Sequence, residues 1–500
     1  MSGSTSVLQA ADGALPDARV ILDTLAADFA LDVGPARVVR RTLLDTFDHR
    51  LCAAGLTLTQ HGEPSGEQLV LRRAGRPVTC AAVGGARWPA LAAALPSGPL
   101  RDAVGAASGI RALMVVGDER RRQRRVDLRD QDAKIVARVD VDVPTAGSGG
   151  AVQVRVHALT GYSRQARRVT ALVTGLGFRP VTGEQCAPVT RGTSAAEPIG
   201  RDAPAVLLLA GVLGGFVTAM RENLPGVLDD VDTEFLHDVR VAVRRTRSTL
   251  KLARPALPET MRTRWEPAFK WLGDLTTPVR DLDVYLLDLP TMAQWLVAAD
   301  AADLTHLDEH LRRSRAVQRR TLVRGLRSAR FERLLEQWDQ TLAELAQSCA
   351  ARPTAGELSD ASIGRAHRKV VRAGAAITVD SPAQSLHTLR KRCKELRYAL
   401  EVFAPVTDKP ARKAALADLK GLQDVLGRFQ DCEVQREALR EFAHEMMTDG
   451  TPAQAVLAMG ELIGHLDTEQ QQARERFDGA FAQFTRASSA RRLRRLAGAR

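Results

Sequence analysis

The sequence predicts a two-part protein: an α+β N-terminal domain built on antiparallel strands, followed by an all-α domain made of two related halves. Three observations carry this. The stretch "KIVARVDVDV" alternates strictly, with Val139, Val141 and Val143 on one side and Arg138, Asp140 and Asp142 on the other, the pattern of a half-exposed strand. From Ala203 onward nearly every segment repeats with a helical period, and none reads as a strand. Finally, "HDVRVAVRRTRSTLK" at His237 and "HTLRKRCKELRYALE" at His387 are two versions of one helix, each with five Arg or Lys in fifteen residues.

In order along the chain, "PTAGSGG" reads as a turn and "AVQVRVHAL" alternates again, so it forms a hairpin with the strand before it. "SRQARRVTALVTGLGF" predicts a helix ending near Gly175 or Gly177. These elements close a domain over residues 1–181, and residues 182–202, rich in Gly, Ala, Thr and Pro, read as a linker. The helical domain spans 203–490, with halves at about 203–350 and 351–490, and an Arg-rich tail at 491–500 is expected to fray. Its first segment, "APAVLLLAGVLGGFVTAM", runs eighteen residues without a charge, a marginal length for a bilayer. The expectation is a buried first helix, with Gly211, Gly214 and Gly215 permitting close packing; a membrane span is the alternative.

A chain of 500 residues is too long for one core. Its net charge of +12 and pI near 9.9 favour a polyanionic partner or an anionic surface. Aromatic residues, at 4%, are too few for rows of base-stacking platforms. The six cysteines form no CxxC pair, so reduced thiols are expected, with neither a disulfide framework nor a zinc site. The N-terminus lacks the basic and apolar regions of a signal peptide, and with the reduced thiols a cytoplasmic chain is the expectation.

The repeated helices hold the chemistry. Counted from each histidine, cations recur at offsets 3, 7 and 10: Arg240, Arg244, Arg247 and Arg390, Lys394, Arg397. Residues three and four apart share one helix face, so each histidine heads a ladder of positive charge. Arg245, Lys251 and Lys391 add to it, and Tyr398 offers a hydroxyl donor. Val239, Val243, Leu250 and Leu389, Cys393, Leu400 make the opposite, apolar face. The repeat continues: Arg280-Asp281-Leu282-Asp283-Val284 and Gln430-Asp431-Cys432-Glu433-Val434 begin 43 residues after their respective histidines. Equal spacing over such a gap argues for duplication of a whole helical unit. Two such copies can turn their basic faces together about a pseudo-twofold axis. Asp281, Asp283, Asp431 and Glu433 are expected to pin the crowded cations; holding a metal with a further ligand is the alternative.

"LHDVRVAVRRTRSTLKLARPAL", "LGDLTTPVRDLDVY", "LHTLRKRCKELRYALEVF" and "LQDVLGRFQDCEV" resemble the paired halves of a CHAD domain. That resemblance implies two related four-helix bundles and a His/Arg/Lys face that binds inorganic polyphosphate. CHAD domains often follow a CYTH domain, the triphosphate-tunnel β-barrel. "RRTLLDTFDHRLCAAGLTLTQ", around Asp45 and Thr46, is similar to the strand-Asp-Thr-turn-strand unit of that family, and "QLVLRR" and "RRVDLRD" supply further strands. The family's opening Glu-x-Glu-x-Lys strand has no counterpart before Arg40, and Gln153, Arg155 and His157 stand where carboxylates are usual. Divalent ions need oxygen ligands. The resemblance therefore implies a degenerate barrel without catalytic metal, still attracting anions through Arg72, Arg73, Arg124 and Arg125.

The sequence thus points to a non-enzymatic, cofactor-free binder of inorganic polyphosphate in the cytoplasm, with polyphosphate granules as a destination. Guanidinium forks clamp two oxygens each, and a rise of about 5–6 Å between rungs lets successive cations take different phosphates. Two rivals stand beside it. One is a metal-dependent triphosphatase or polyphosphate-processing enzyme in the N-terminal half; the other is a nucleic-acid binder, which the charge allows.

Overall fold

In the computed structural model, the described residues are 5–10, 17–63, 66–73, 76–145, 151–180, 199–348, 353–448 and 450–498. The chain divides into two compact units, Met1–Ser194 and Ala195–Arg500. The expected linker lies mostly outside the described residues, as does the "PTAGSGG" turn beyond Thr145.

The first unit is an antiparallel sheet. Its strands are β1 (Thr5–Ala10), β2 (Ala30–Val33), β3 (Arg37–Thr46), β4 (Leu56–Glu63), β5 (Gly66–Arg73), β6 (Arg76–Val83), β7 (Leu113–Arg129), β8 (Ile135–Pro144), β9 (Gln153–Ala158) and β10 (Phe178–Pro180). They pair in the order β10-β1-β9-β8-β7-β3-β4-β5-β6, with β2 added on β7. The helices are α1 (Ala18–Ala26), a single turn α2 (Arg50–Ala53), α3 (Pro99–Ser108) and α4 (Ser163–Gly175). Val126, Leu128, Val139, Val141, Val154 and Val156 share one sheet face and are buried with Ile21, Leu25, Val169 and Val173 of α1 and α4. The hairpin is the one expected, with Val139 opposite Val156 and Val141 opposite Val154.

One expectation fails here. On the polar face of the strand over Ile135–Pro144 Arg138 is exposed as expected, but Asp140 and Asp142 are 4% and 0% exposed. There the face is covered by charged partners, not by water, since Asp142 meets Arg41 at 2.7 Å and Arg121 at 2.8 Å.

The second unit is all-α, in two halves. The first half comprises α5 (Ala205–Leu228), α6 (Thr233–Leu252), α7 (Glu259–Met292), α8 (Thr305–Leu326) and α9 (Ala329–Gln347). The second comprises α10 (Ala355–Ala375), α11 (Ala383–Val402), α12 (Lys409–Thr448), α13 (Ala453–Glu475), α14 (Phe477–Thr485) and α15 (Ala487–Leu496). Their first helices start side by side, the Ala205 N–H donating to Pro353 O and the Ala355 N–H to Ala203 O. In the first half Trp338 of α9 stacks edge-on against Trp265 and Phe269 of α7, centroids 4.9 and 5.1 Å away. Such geometry contributes about 0.5–1.5 kcal/mol per pair beyond burial. The halves are not separate bundles throughout. One core joins Leu282, Tyr285 and Leu289 of α7 and Leu307 and Leu311 of α8 to Cys432 and Leu439 of α12 and Leu462 and Leu466 of α13.

Helix α5 is long and apolar enough to cross a membrane by length and composition. Within the unit it buries Val206, Leu209, Leu213, Val217 and Met220 against neighbours that include α6 and α9, and leaves Leu207 exposed. Its glycines do not mediate the close packing expected of them: apart from the helix's own backbone, nothing lies within 4 Å of where a Cβ would stand on Gly211, Gly214 or Gly215. Close packing occurs at Gly226, where a Cβ would meet the Phe235 ring at 2.3 Å. The Arg-rich tail is not frayed through its length either. Residues 487–496 form α15, whose Leu493 and Leu496 are buried, while Arg486 and Arg492 grip Asp418.

Candidate functional site

Asp232 fixes the start of α6 by accepting the N–H of Glu234 and of Phe235, which places His237 in the first turns of the helix. The apolar faces are those the periodicity predicts. Val239, Val243 and Leu250 on α6, and Leu389, Cys393 and Leu400 on α11, are each at most 2% exposed. Burying those stripes turns the opposite faces outward with both histidines and all six spaced cations.

The structure brings the two ladders together. Helices α6 and α11 pack on each other, and Arg245 of α6 reaches Glu401 of α11 at 3.1 Å. Arg397 holds the same carboxylate at 2.8 Å. Lys394 is half-buried, and burial pushes its ammonium down to about 8; Arg390 beside it and Arg244 from the other half add to the depression. One ladder is thus felt electrostatically by the other.

Partners differ between the halves. Arg390 donates to Asp431 at 2.9 Å. Arg240 donates to Thr277 at 2.6 Å and stands 3.9 Å from Asp281. Asp431 holds a ladder cation by a hydrogen bond, and Asp281 faces one at longer range. Asp283 and Glu433 do neither. Asp283, 1% exposed, binds Arg315 of α8 at 2.5 Å, and Glu433 accepts from Gln430 at 3.1 Å. Gln430 in turn holds the His387 ring through Nδ1. At the equivalent place in the first half stands Arg280, and His237 is held below its usual range by burial first and by Arg280 second. Burial likewise lowers Arg240 and raises Asp281.

Arg247 lies over Gly273 of α7, where a Cβ would come within 3.0 Å of its Nη1. Arg247 and Lys251 line a pocket of about 270 Å³ together with Glu266, Pro267 and Lys270, whose ammonium is held by Asp274 at 2.7 Å. Arg280 and Lys270 are site residues that the ladders alone did not show. Arg280 falls in the repeated follower, at the offset where the second half carries glutamine; Lys270 carries no sequence signal of its own. Lys391 and Arg397 are exposed, and Tyr398 is half-buried beside them.

In the first unit, arginines converge on the polar sheet face. Arg41, Arg121 and Arg155 surround Asp142 at 2.7, 2.8 and 3.5 Å, and Arg125 and His157 hold Asp140 at 2.9 and 2.8 Å. Burial opposes ionisation of Asp140, but the bonds from His157 and Arg125 outweigh it and leave the carboxyl far below its usual range. Arg72 donates to Thr59 at 2.8 Å, and His61 is pushed down to about 3 by burial and by Arg41, Arg72 and Arg155. Of the four arginines expected to attract anions, Arg72 belongs to this face and Arg125 is engaged by Asp140. Asp45 is structural, accepting the N–H groups of Thr46, Leu51 and Cys52 around the turn. A divalent metal of the kind a full CYTH site would hold needs free carboxylates. Here Asp140 and Asp142 are engaged by cations, and among the described residues no group of three or more His, Cys, Asp or Glu is placed to hold a metal. The donor set does not fit the ion.

Residues 211–440 match the CHAD domain family. This stretch of the chain is a CHAD domain. It carries both ladders and both acidic followers. A curated relative, an uncharacterized protein of Mycobacterium tuberculosis, is 31% identical over 227 residues, which is 43% of this chain and 42% of that protein. The matched stretch thus spans less than half the length of that relative. Among solved structures, the CHAD domain from the plant Ricinus communis is 26% identical with a TM-score of 0.48, covering 57% of this chain and 93% of its own. A Hippeastrum protein named as an adenylyl cyclase with a dominant triphosphatase activity covers 36% of this chain and 90% of its own, with a TM-score of 0.25 and 14% identity.

Proposed function

We propose that the chain binds inorganic polyphosphate, without hydrolysing it, on the face shared by α6 and α11. The supporting observation is the packing of α6 on α11, with Arg245 of one and Arg397 of the other on the same Glu401 carboxylate and Arg244 adding to the depression at Lys394. Such crowding is unfavourable until a polyanion neutralises it. His237, Arg240, Arg244, Arg245, Arg247 and Lys251 approach the polymer from one side, and His387, Arg390, Lys391, Lys394, Arg397 and Tyr398 from the other. No cofactor or metal is required, the setting is the cytoplasm, and delivery to polyphosphate granules is the corresponding role. The first unit's polar face, with its carboxylates engaged by arginine, supports an accessory rather than a metal-dependent hydrolytic role.

Nucleic acid is the secondary partner. A bare phosphate chain is thin, whereas a duplex carries its phosphates on a wide cylinder. Polyphosphate should outcompete duplex DNA by at least about tenfold per phosphate, roughly 1.4 kcal/mol. Equal competition at matched phosphate concentration would reduce the site to a general polyanion surface.

A further inference from the structure

Away from the ladders, α10, α14 and α15 line an open pocket of about 770 Å³, a volume typical of small-molecule sites. Its floor is apolar and made of small groups, with Ala361, Gly364 and Val371 of α10 facing Ala490 and Ala497 near α15. Gly364 matters to the shape: a Cβ there would come within 3.3 Å of both Ala497 Cβ and Arg368 Nη1. The walls are cationic. Arg368, Arg372 and Arg494 line the pocket, and among the described residues none of them is paired with a carboxylate. The carboxylate in the lining, Asp360, is taken by Arg201, whose Nη2 donates to both its oxygens at 2.8 and 2.7 Å. His367, half-buried between wall and floor, has its ring 6.2 Å from that of Phe484. Two other arginines of α15 are held by carboxylates, Arg492 by Asp418 and Arg495 by Asp408. Arg494 is turned into the pocket instead.

Guanidiniums without a carboxylate partner attract phosphate, and a bidentate fork on each oxygen pair fixes its place. A bare phosphate chain would leave the floor of small apolar groups unused, whereas a ligand with an organic body would cover it. We propose that this pocket is a second binding site, for a small organic phosphate of mononucleotide size. Its phosphates sit against Arg368, Arg372 and Arg494, and its body lies on the Ala361–Val371 floor beside His367.

The test is calorimetric titration of the full chain, without divalent metal, using ATP as the probe and tripolyphosphate as its bare counterpart. Wild type should bind one ATP per chain in this pocket. The R368E/R494E variant should weaken that binding at least about tenfold, through loss and reversal of two charge-assisted contacts. A361F, a change at an exposed position that fills the pocket without touching its charge, should do the same. Both variants should keep wild-type affinity for tripolyphosphate, and R244E/R247E should keep wild-type affinity for ATP. The proposal is overturned if wild type does not bind ATP, or if R244E/R247E abolishes ATP binding while the pocket variants retain it. It is also overturned if A361F leaves ATP affinity unchanged, which would mean that the organic body finds no seat on the floor.

Discussion

Lys394 sits half-buried with Arg390 on its own helix and Arg244 opposite, and Asp431 answers only part of that charge because it already bonds Arg390 at 2.9 Å. Replacing it with methionine keeps the length of the side chain and removes the charge. A fall from 10.5 to about 8 corresponds to roughly 3 kcal/mol of disfavoured charge, which partial solvent access reduces to about 1–2 kcal/mol. Lys394→Met should therefore stabilise the ligand-free protein by about that amount, a rise in melting temperature of a few degrees, while weakening polyphosphate binding at least about tenfold. The pH dependence has a definite sign. Between pH 8 and 10.5 the unfolded chain holds the Lys394 proton and the folded chain does not, so wild-type stability gains from this group as pH rises through that window. Polyphosphate binding runs the other way, since a bound polyanion restores the proton and its affinity falls as pH rises above 8. The assay is thermal melting with and without polyphosphate at pH 7 and pH 9.5, for wild type and K394M. A lower melting temperature for ligand-free K394M, or unchanged polyphosphate stabilisation, would refute the reasoning.

Three further outcomes follow from the same geometry. Glu401 holds Arg245 and Arg397 in the ligand-free state and so competes with the polymer; Glu401→Gln should tighten polyphosphate binding several-fold by titration, and weaker binding would show that the carboxylate positions the cations productively. Asp142→Asn leaves Arg41, Arg121 and Arg155 crowded in the first unit without their anion, and should lower that unit's unfolding free energy by about 3 kcal/mol, seen as an early melting transition; an unchanged melt would contradict the ion-pair account. The full chain carrying R244E/R247E, which leaves the first unit intact, should release no phosphate from ATP or tripolyphosphate with magnesium or manganese, and reproducible metal-dependent turnover would restore the enzymatic rival.

The ladders were legible because helical periodicity is local: one short window showed both the face that buries Val239, Val243 and Leu250 and the face that carries the cations. Their convergence was legible only as an expectation from duplication. The acidic followers were half legible. Spacing put Asp431 beside Arg390 and Asp281 near Arg240, but Asp283 finds Arg315 on α8, 32 residues on, and no window spans that. Alternation in "KIVARVDVDV" gave the strand and its register. It misled about exposure because period two distinguishes the two faces without saying what covers the polar one; the covering arginines come from β3, β7 and β9. Composition hid α15, where a density of arginine masked the helical spacing of Leu493 and Leu496. In α5 the glycines drew a packing argument that belonged to Gly226 and Phe235.

The central claim is that both halves build one polyphosphate site, and two double variants of the full chain test it directly. Titration with polyphosphate of fixed length should show that R244E/R247E and K394E/R397E each nearly abolish binding, although each leaves the other ladder intact. If either variant instead binds about half as much polymer with undiminished affinity, the halves act separately and the shared site is wrong.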